Sequence, residues 1–234
     1  MMTFDDLRFE LNKLEIACDE QQILLLRHFM NNTLLANERF NLTAITDAPV
    51  FIEKMIYDSA LALYDFDLSD KSIIDVGTGA GYPGMVLRVL SKSADVYLLD
   101  STKKKIDYLD EYAKSQNLKV NCINARAEDY SRINREKFDC ATARAVAPLN
   151  ILLEIIAPLL KVDGTFIALK GSDYENEINE SKNALKKLNC KVTKIYEFIL
   201  PESQEKRAII HIKKLDKTSK KYPREYKEIK RLPL

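Results

Sequence analysis

Residues 72–84 read SIIDVGTGAGYPG: a strand-forming run that passes straight into a cluster of glycines. The chain has only six glycines in 234 residues, and four of them, Gly77, Gly79, Gly81 and Gly84, fall in this stretch. Glycine that is scarce overall and concentrated once marks a backbone that must take positive φ or approach another group closely. A strand that enters such a turn and leaves it as a helix sits, in an α/β sheet, at the ligand crevice, where helix N–H groups point at the ligand.

Outward from this turn the chain alternates. Strand-type runs follow at 95–99, 119–124, 138–144 and 165–170, with helical patterns at 82–91, 102–116, 148–160 and 174–188. That order predicts a doubly wound parallel sheet with helices on both faces. The last two strand-type runs, 191–200 and 207–214, are joined by six residues, too few for a helical crossover, so they are expected to pair as an antiparallel hairpin. Upstream, apolar stripes at helical spacing (Leu7, Leu11, Leu14; Ile23, Leu26, Phe29, Met30; Ile52, Met55, Ile56, Ala60, Leu63) predict helices, the third over 48–64. The chain thus divides into an N-terminal helical extension packed on the core (1–71), an α/β domain (72–214) and a basic tail (215–234) with little apolar content, expected to be loosely ordered.

The net charge of +1 averages two opposite ends. Residues 1–71 carry 13 acids against 6 bases, and residues 213–234 carry 9 bases against 3 acids. Lys217, Lys220, Lys221 and Arg224, with Tyr222 interleaved, are therefore candidates for phosphate contacts and base stacking. No apolar run is long enough to span a membrane, and the N-terminus has no signal-peptide pattern, so a cytoplasmic protein is expected. Four cysteines without a C-x-x-C pair and only two histidines, His28 and His211, give no metal site.

Asp100 ends the second strand, 23 residues after Gly77, where a carboxylate can accept from two ribose hydroxyls. Strand, glycine turn, helix, strand, acid is a nucleoside-binding unit. NAD and S-adenosylmethionine both fit it, since Gly79-x-Gly81-x-x-Gly84 also satisfies the dinucleotide pattern, and a non-catalytic nucleotide-binding scaffold fits as well. Three features favour the methyl donor: the tight Gly77-x-Gly79-x-Gly81 triplet with Asp75 before it, the Ala127-Glu128 pair placed to read an adenine, and the C-terminal hairpin.

Eight collinear segments then carry a specific resemblance: NERFNLTAIT (37–46), YDSALAL (57–63), DVGTGAGYPG (75–84), LLDSTKKKIDYL (98–109), NARAEDY (124–130), TARAVAPL (142–149), FIALKG (166–171) and KKYPR (220–224). In these the chain resembles the ribosomal RNA small subunit methyltransferase G family, also called the glucose-inhibited division protein B family. The resemblance implies a doubly wound, seven-stranded, Rossmann-like class I methyltransferase that moves methyl from S-adenosylmethionine to N7 of one guanine in bacterial 16S ribosomal RNA, acting as a monomer on that RNA or on the small subunit. It places the cofactor shell on Gly77, Thr78, Gly79, Gly81, Tyr82, Asp100, Ser101, Ala127, Glu128 and Arg144. Three departures stand out. Met55 occupies a position where many members have histidine, Pro148 follows ARAVA where some have arginine, and the tail after Arg224 lacks the usual Gly and Pro.

The residues suit that chemistry. Guanine N7 carries a free lone pair, so no general base is required and positioning can do most of the catalysis. Amino-group methylation usually shows an Asn/Asp-Pro-Pro-aromatic turn, replaced here by Arg144-Ala-Val-Ala-Pro148, and Cys140 lies too deep in its strand to be a nucleophile. Arg144 and Lys170 end strands four and five, where a cation can donate to guanine O6 beside N7; one of them is expected to orient the base.

Overall fold

The computed structural model describes all residues 1–234. Seven strands, β1 (Ser72–Val76), β2 (Asp95–Asp100), β3 (Val120–Asn124), β4 (Phe138–Arg144), β5 (Leu160–Lys170), β6 (Cys190–Ile199) and β7 (Lys206–Lys214), form one sheet in the order β3-β2-β1-β4-β5-β7-β6. The first five are parallel, and β7 runs antiparallel between β5 and β6. The doubly wound sheet and the terminal hairpin are therefore present as the alternation predicts. Strand order reverses at β1 and β4, so the cleft opens above the C-terminal ends of these two strands.

Both sheet faces are buried, as a parallel sheet requires. On one face Ile73, Val96 and Leu98 pack in a core shared with the N-terminal helices and with α5 (Gly84–Leu90) and α6 (Lys103–Ser115). On the other, Ile74, Val76 and Leu99 meet α7 (Ala127–Ile133), α8 (Leu149–Ile156) and α10 (Lys182–Lys187).

The N-terminal helices are defined by their caps. Thr3 and Asp19 each form reciprocal capping boxes at α1 (Phe4–Lys13) and α2 (Glu20–Phe40). Buried Gln22 then ties α2 to the C-terminal end of α5, its side-chain amide donating to the carbonyls of Val89 and Leu90 at 2.8 and 3.1 Å.

Four expectations change. The segment 48–64 is not one helix: α3 (Ala48–Phe51) passes into a π-helical turn (Ile52–Tyr57), then α4 (Asp58–Ala60) and a 3-10 turn (Leu61–Leu63). The helix after the glycine turn starts at Gly84, two residues later than expected, because Asp75 reaches from β1 to accept the Gly84 amide at 2.8 Å. Residues 174–188 form two helices, α9 (Tyr174–Glu180) and α10, that meet at buried Ser181.

The tail is the largest correction. It ends in α11 (Tyr226–Arg231), and Tyr222, Ile229 and Leu234 are buried in the core beneath α8. Arg224 wraps Glu154, which is 0% exposed: its backbone amide, Nε and Nη2 donate to the carboxylate at 2.8, 2.9 and 2.7 Å. Arg135 donates to the carbonyls of Thr218 and Tyr222 at 2.6 and 2.7 Å. A segment of low apolar content is held by a few deep anchors and by one buried charge pair. No helix of the chain is long and apolar enough to cross a membrane.

Candidate functional site

The glycine turn builds the floor of a cavity of about 1050 Å³ at the C-terminal edge of the sheet. Gly77, Gly79 and Gly81 take φ of +74°, +59° and +96°, which explains the residue choice. Their neighbours differ. A side chain at Gly79 would meet nothing nearer than the Gly77 carbonyl, at 3.9 Å, so this backbone lies open to a ligand. A side chain at Gly81 would drive into Leu109, Met85 and Phe29 at 2.7–2.9 Å. Gly81 is accordingly absent from the cavity wall, unlike the other residues of the expected cofactor shell, and is packed against α2, α5 and α6.

The Asp100 carboxylate stands across from the turn. Its Oδ2 accepts the Gly79 amide at 3.0 Å, and its Oδ1 accepts the Thr102 amide at 2.8 Å. These bonds fix the carboxylate and leave lone pairs for two further donors, which suits a ribose. Thr78 is buried on the same wall. Open backbone at Gly79 and a fixed carboxylate together fit an adenosyl ligand. Ser101, Ala127 and Glu128 complete this end of the wall. Glu128 is nearly buried and accepts Arg126 Nε at 3.1 Å.

Asp75, by contrast, faces α5 and not the cavity. Burial lifts its carboxyl to about 6, against the Thr78 side chain and the Gly84 amide, which favour the charge. Tyr82 reaches the wall, yet its ring stacks on Phe29 at 5.0 Å between centroids and its hydroxyl lies 3.3 Å from Thr33 Oγ1. It joins the turn to α2 as much as it lines the site.

The opposite end of the cavity is charged, and much of it comes from the N-terminal extension. In the π-helical turn the Asp58 amide reaches back five residues to the Glu53 carbonyl, and π-turns of this kind recur at functional sites. The adjacent Lys54 carbonyl accepts Arg144 Nη1 at 2.7 Å. Arg144 also meets Asp58 Oδ2 and Met55 Sδ, each at 3.3 Å. Arg207, on β7, reaches the same Asp58 oxygen at 3.3 Å and Glu205 at 2.7 Å, and Glu205 pairs with the Lys54 ammonium. Lys54, Glu205, Arg207, Asp58 and Arg144 thus close a ring that joins the extension, the end of β4 and the hairpin. Lys170 donates to Glu177 at 2.6 Å and to the Ala147 carbonyl at 3.1 Å, holding the 145–148 loop on the wall.

All but Gly81 of the residues expected in the cofactor shell lie on this one wall, together with Lys170. The tail residues do not. Tyr222 is buried and Arg224 is spent on Glu154, so neither is free to meet RNA, while Lys217, Lys220 and Lys221 are exposed at a distance from the cavity lining. Sequence reasoning missed Leu42, Asp58, Arg207 and Tyr226, which also line the cavity. Leu42 and Asp58 had a signal, each as part of a quoted motif. Cys140 is buried in β4, and burial pushes its thiol up to about 12, out of nucleophilic reach.

The sequence model of one family, described as rRNA small subunit methyltransferase G, matches residues 22–210. Proteins named ribosomal RNA small subunit methyltransferase G are similar along most of their length. That of Fusobacterium nucleatum is 42% identical, covering 92% of both chains, and that of Clostridium tetani is 36% identical over the whole of both chains. Among solved structures, TYW2 of M. jannaschii in complex with AdoMet superposes with a TM-score of 0.57 at 19% identity, over 74% of this chain and 80% of that one. A SAM-dependent methyltransferase from Aquifex aeolicus superposes at 0.53 and 18% identity, over 71% and 94%. At such identities these structures speak for the fold.

Proposed function

The chain belongs to the rRNA small subunit methyltransferase G family, and on that premise we propose that it transfers a methyl group from S-adenosylmethionine to N7 of a guanine in 16S ribosomal RNA. The observation that carries the reading is the single cavity in which Asp100 and the open Gly79 backbone face a wall of paired cations. The adenosyl end is assigned to Gly77, Thr78, Gly79, Asp100, Ser101, Ala127 and Glu128. The base end is assigned to Arg144 and Lys170. A cavity of about 1050 Å³ holds a cofactor with room beside it for an extruded base.

Bound S-adenosylmethionine supplies an electrophilic methyl on a sulfonium; guanine N7 attacks with its own lone pair, so this chain need not remove a proton. Its task is alignment and exclusion of water. Arg144 has N–H groups left beyond its bonds to Lys54, Asp58 and Met55, and donates to guanine O6, which sets N7 toward the methyl group. Adenine presents an amino group at that position and is refused by a donor-only side chain. Methylation leaves the purine positively charged. At the base end each of these cations carries a carboxylate, Asp58 for Arg144 and Arg207 and Glu177 for Lys170, so the product charge is not met there by an uncompensated one.

The proposal extends to a monomer acting in the cytoplasm on 16S RNA or the small ribosomal subunit. Mapping N7-methylguanine in 16S RNA from cells lacking this protein, with and without its return, tests the whole reading. The expected result is one N7-methylguanine that disappears and is restored. A modification map identical in both strains refutes it.

A further inference from the structure

Tyr226 stands in the part of the chain that the sequence marks as an RNA arm, yet it lines the same cavity as Asp100 and Glu128. It is not a side chain on a loose tail. Arg224, two residues earlier, is locked to buried Glu154, and Ile229, on the same helix α11, is 0% exposed. Leu234 is buried beyond it. The helix is pinned at both ends, so Tyr226 has one place to be.

Its neighbours identify the place. The Arg126 guanidinium covers the Tyr226 ring at 5.0 Å from the centroid, and the same guanidinium donates through Nε to Glu128 Oε1 at 3.1 Å. Tyr226, Arg126 and Glu128 therefore form a chain that ends on the carboxylate assigned to the adenine. Tyr226 packs in the same apolar cluster as Ala125, just before α7, Ala127 at its start, and Leu152 and Ile155 of α8, all of which line the cavity. A planar heterocycle suits such a place. Its faces need apolar or aromatic cover, and its edge needs the polar groups that Glu128 and the Ala127 backbone offer.

We infer that Tyr226 is the aromatic wall of the adenine site, so that the C-terminal helix completes the S-adenosylmethionine pocket. This rests on the cavity's being that cofactor's site. The tail's chemistry is thereby divided: Tyr222 serves the core, Tyr226 serves the cofactor, and RNA contact falls to the exposed lysines.

Calorimetric titration of the full-length protein with S-adenosylmethionine and with S-adenosylhomocysteine, without RNA, tests it. Tyr226→Phe keeps the π face and binds like wild type. Tyr226→Ala weakens both ligands about five- to tenfold, the worth of one aromatic stack. Tyr226→Leu restores bulk without the π face and stays near the alanine variant, which a purely structural role would not produce. Equal affinity across all four proteins overturns the inference. So does an unchanged cofactor affinity with weakened RNA binding, which would make Tyr226 an RNA-stacking residue. Wild-type protein that binds neither ligand would fail at the premise, a result distinct from a flat series around a binding wild type.

Discussion

The glycine turn and the C-terminal tail meet at the same cavity but are specified in opposite ways. The turn is local. Three positive-φ glycines, an acid before them and Asp100 after them lie within 26 residues of sequence, and each contact is written in the spacing. The tail is specified at long range, by one arginine that finds a carboxylate 70 residues away and by Arg135 reaching 83 and 87 residues along the chain. Composition sees only the tail's charge, and charge alone reads as a solvated arm.

The comparison is tested most severely at Asp100. If the turn is a ribose site, Asp100→Ala removes two charge-assisted hydrogen bonds at about 2 kcal/mol each, so affinity for S-adenosylmethionine falls at least about a hundredfold. Calorimetry measures it. A loss smaller than tenfold would mean that the carboxylate serves only the Gly79 and Thr102 amides.

The tail's counterpart is Arg224. Arg224→Ala leaves the buried Glu154 carboxylate with one backbone donor, and breaking a buried pair from one side costs about 3 kcal/mol, roughly a 10 °C fall in Tm for a chain of this size. The double variant Arg224→Ala with Glu154→Leu removes the stranded charge and recovers much of the loss. A single variant that melts like wild type would return the tail to the loose state that its composition suggests.

A smaller effect lies in the turn itself. Burial holds the Asp75 carboxyl at about 6, above the ordinary value near 3.9 that it has in the unfolded chain. Below about pH 4 both states are protonated and the group contributes nothing unfavourable. As pH rises toward 6 the unfolded chain releases its proton first, so stability falls across that window, by up to about 2–3 kcal/mol, and then levels. Asp75→Asn removes this slope while an amide oxygen can still accept the Gly84 N–H. Denaturant unfolding of both proteins from pH 4 to 7 would show the variant gaining on wild type. Parallel curves would refute the assignment.

What was legible follows the same division. The doubly wound parallel sheet, the hairpin, Asp100 and the ends of β4 and β5 follow from period and spacing, because strand ends in a doubly wound sheet converge on one edge. The ring of Lys54, Asp58, Arg144, Glu205 and Arg207 does not. Its members come from three separate parts of the chain, and a π-helical turn, invisible to a 3.6-residue stripe, carries Lys54 and ends at Asp58. Gly81 matched the cofactor pattern for a different reason, the close approach of Phe29 and Leu109. Tyr222 and Arg224 matched an RNA-arm composition while serving the core.

The exposed tail lysines carry what remains of the RNA-arm reading, and they separate it from stability. Lys217, Lys220 and Lys221 are solvent-exposed and have no carboxylate partner, so changing all three to alanine should leave the unfolding free energy within about 0.5 kcal/mol of wild type. Each phosphate that they neutralise contributes about 0.7 to 0.9 to the slope of log affinity against log salt. If all three touch RNA, the triple variant's slope is shallower by about 2, and its affinity at low salt falls while cofactor affinity does not. Arg224→Ala cannot give this separation, since it disturbs the anchor as well as the charge. A triple variant with an unchanged salt slope would leave the tail a wholly structural element, and RNA recognition would then rest on the charged ring at the cavity mouth.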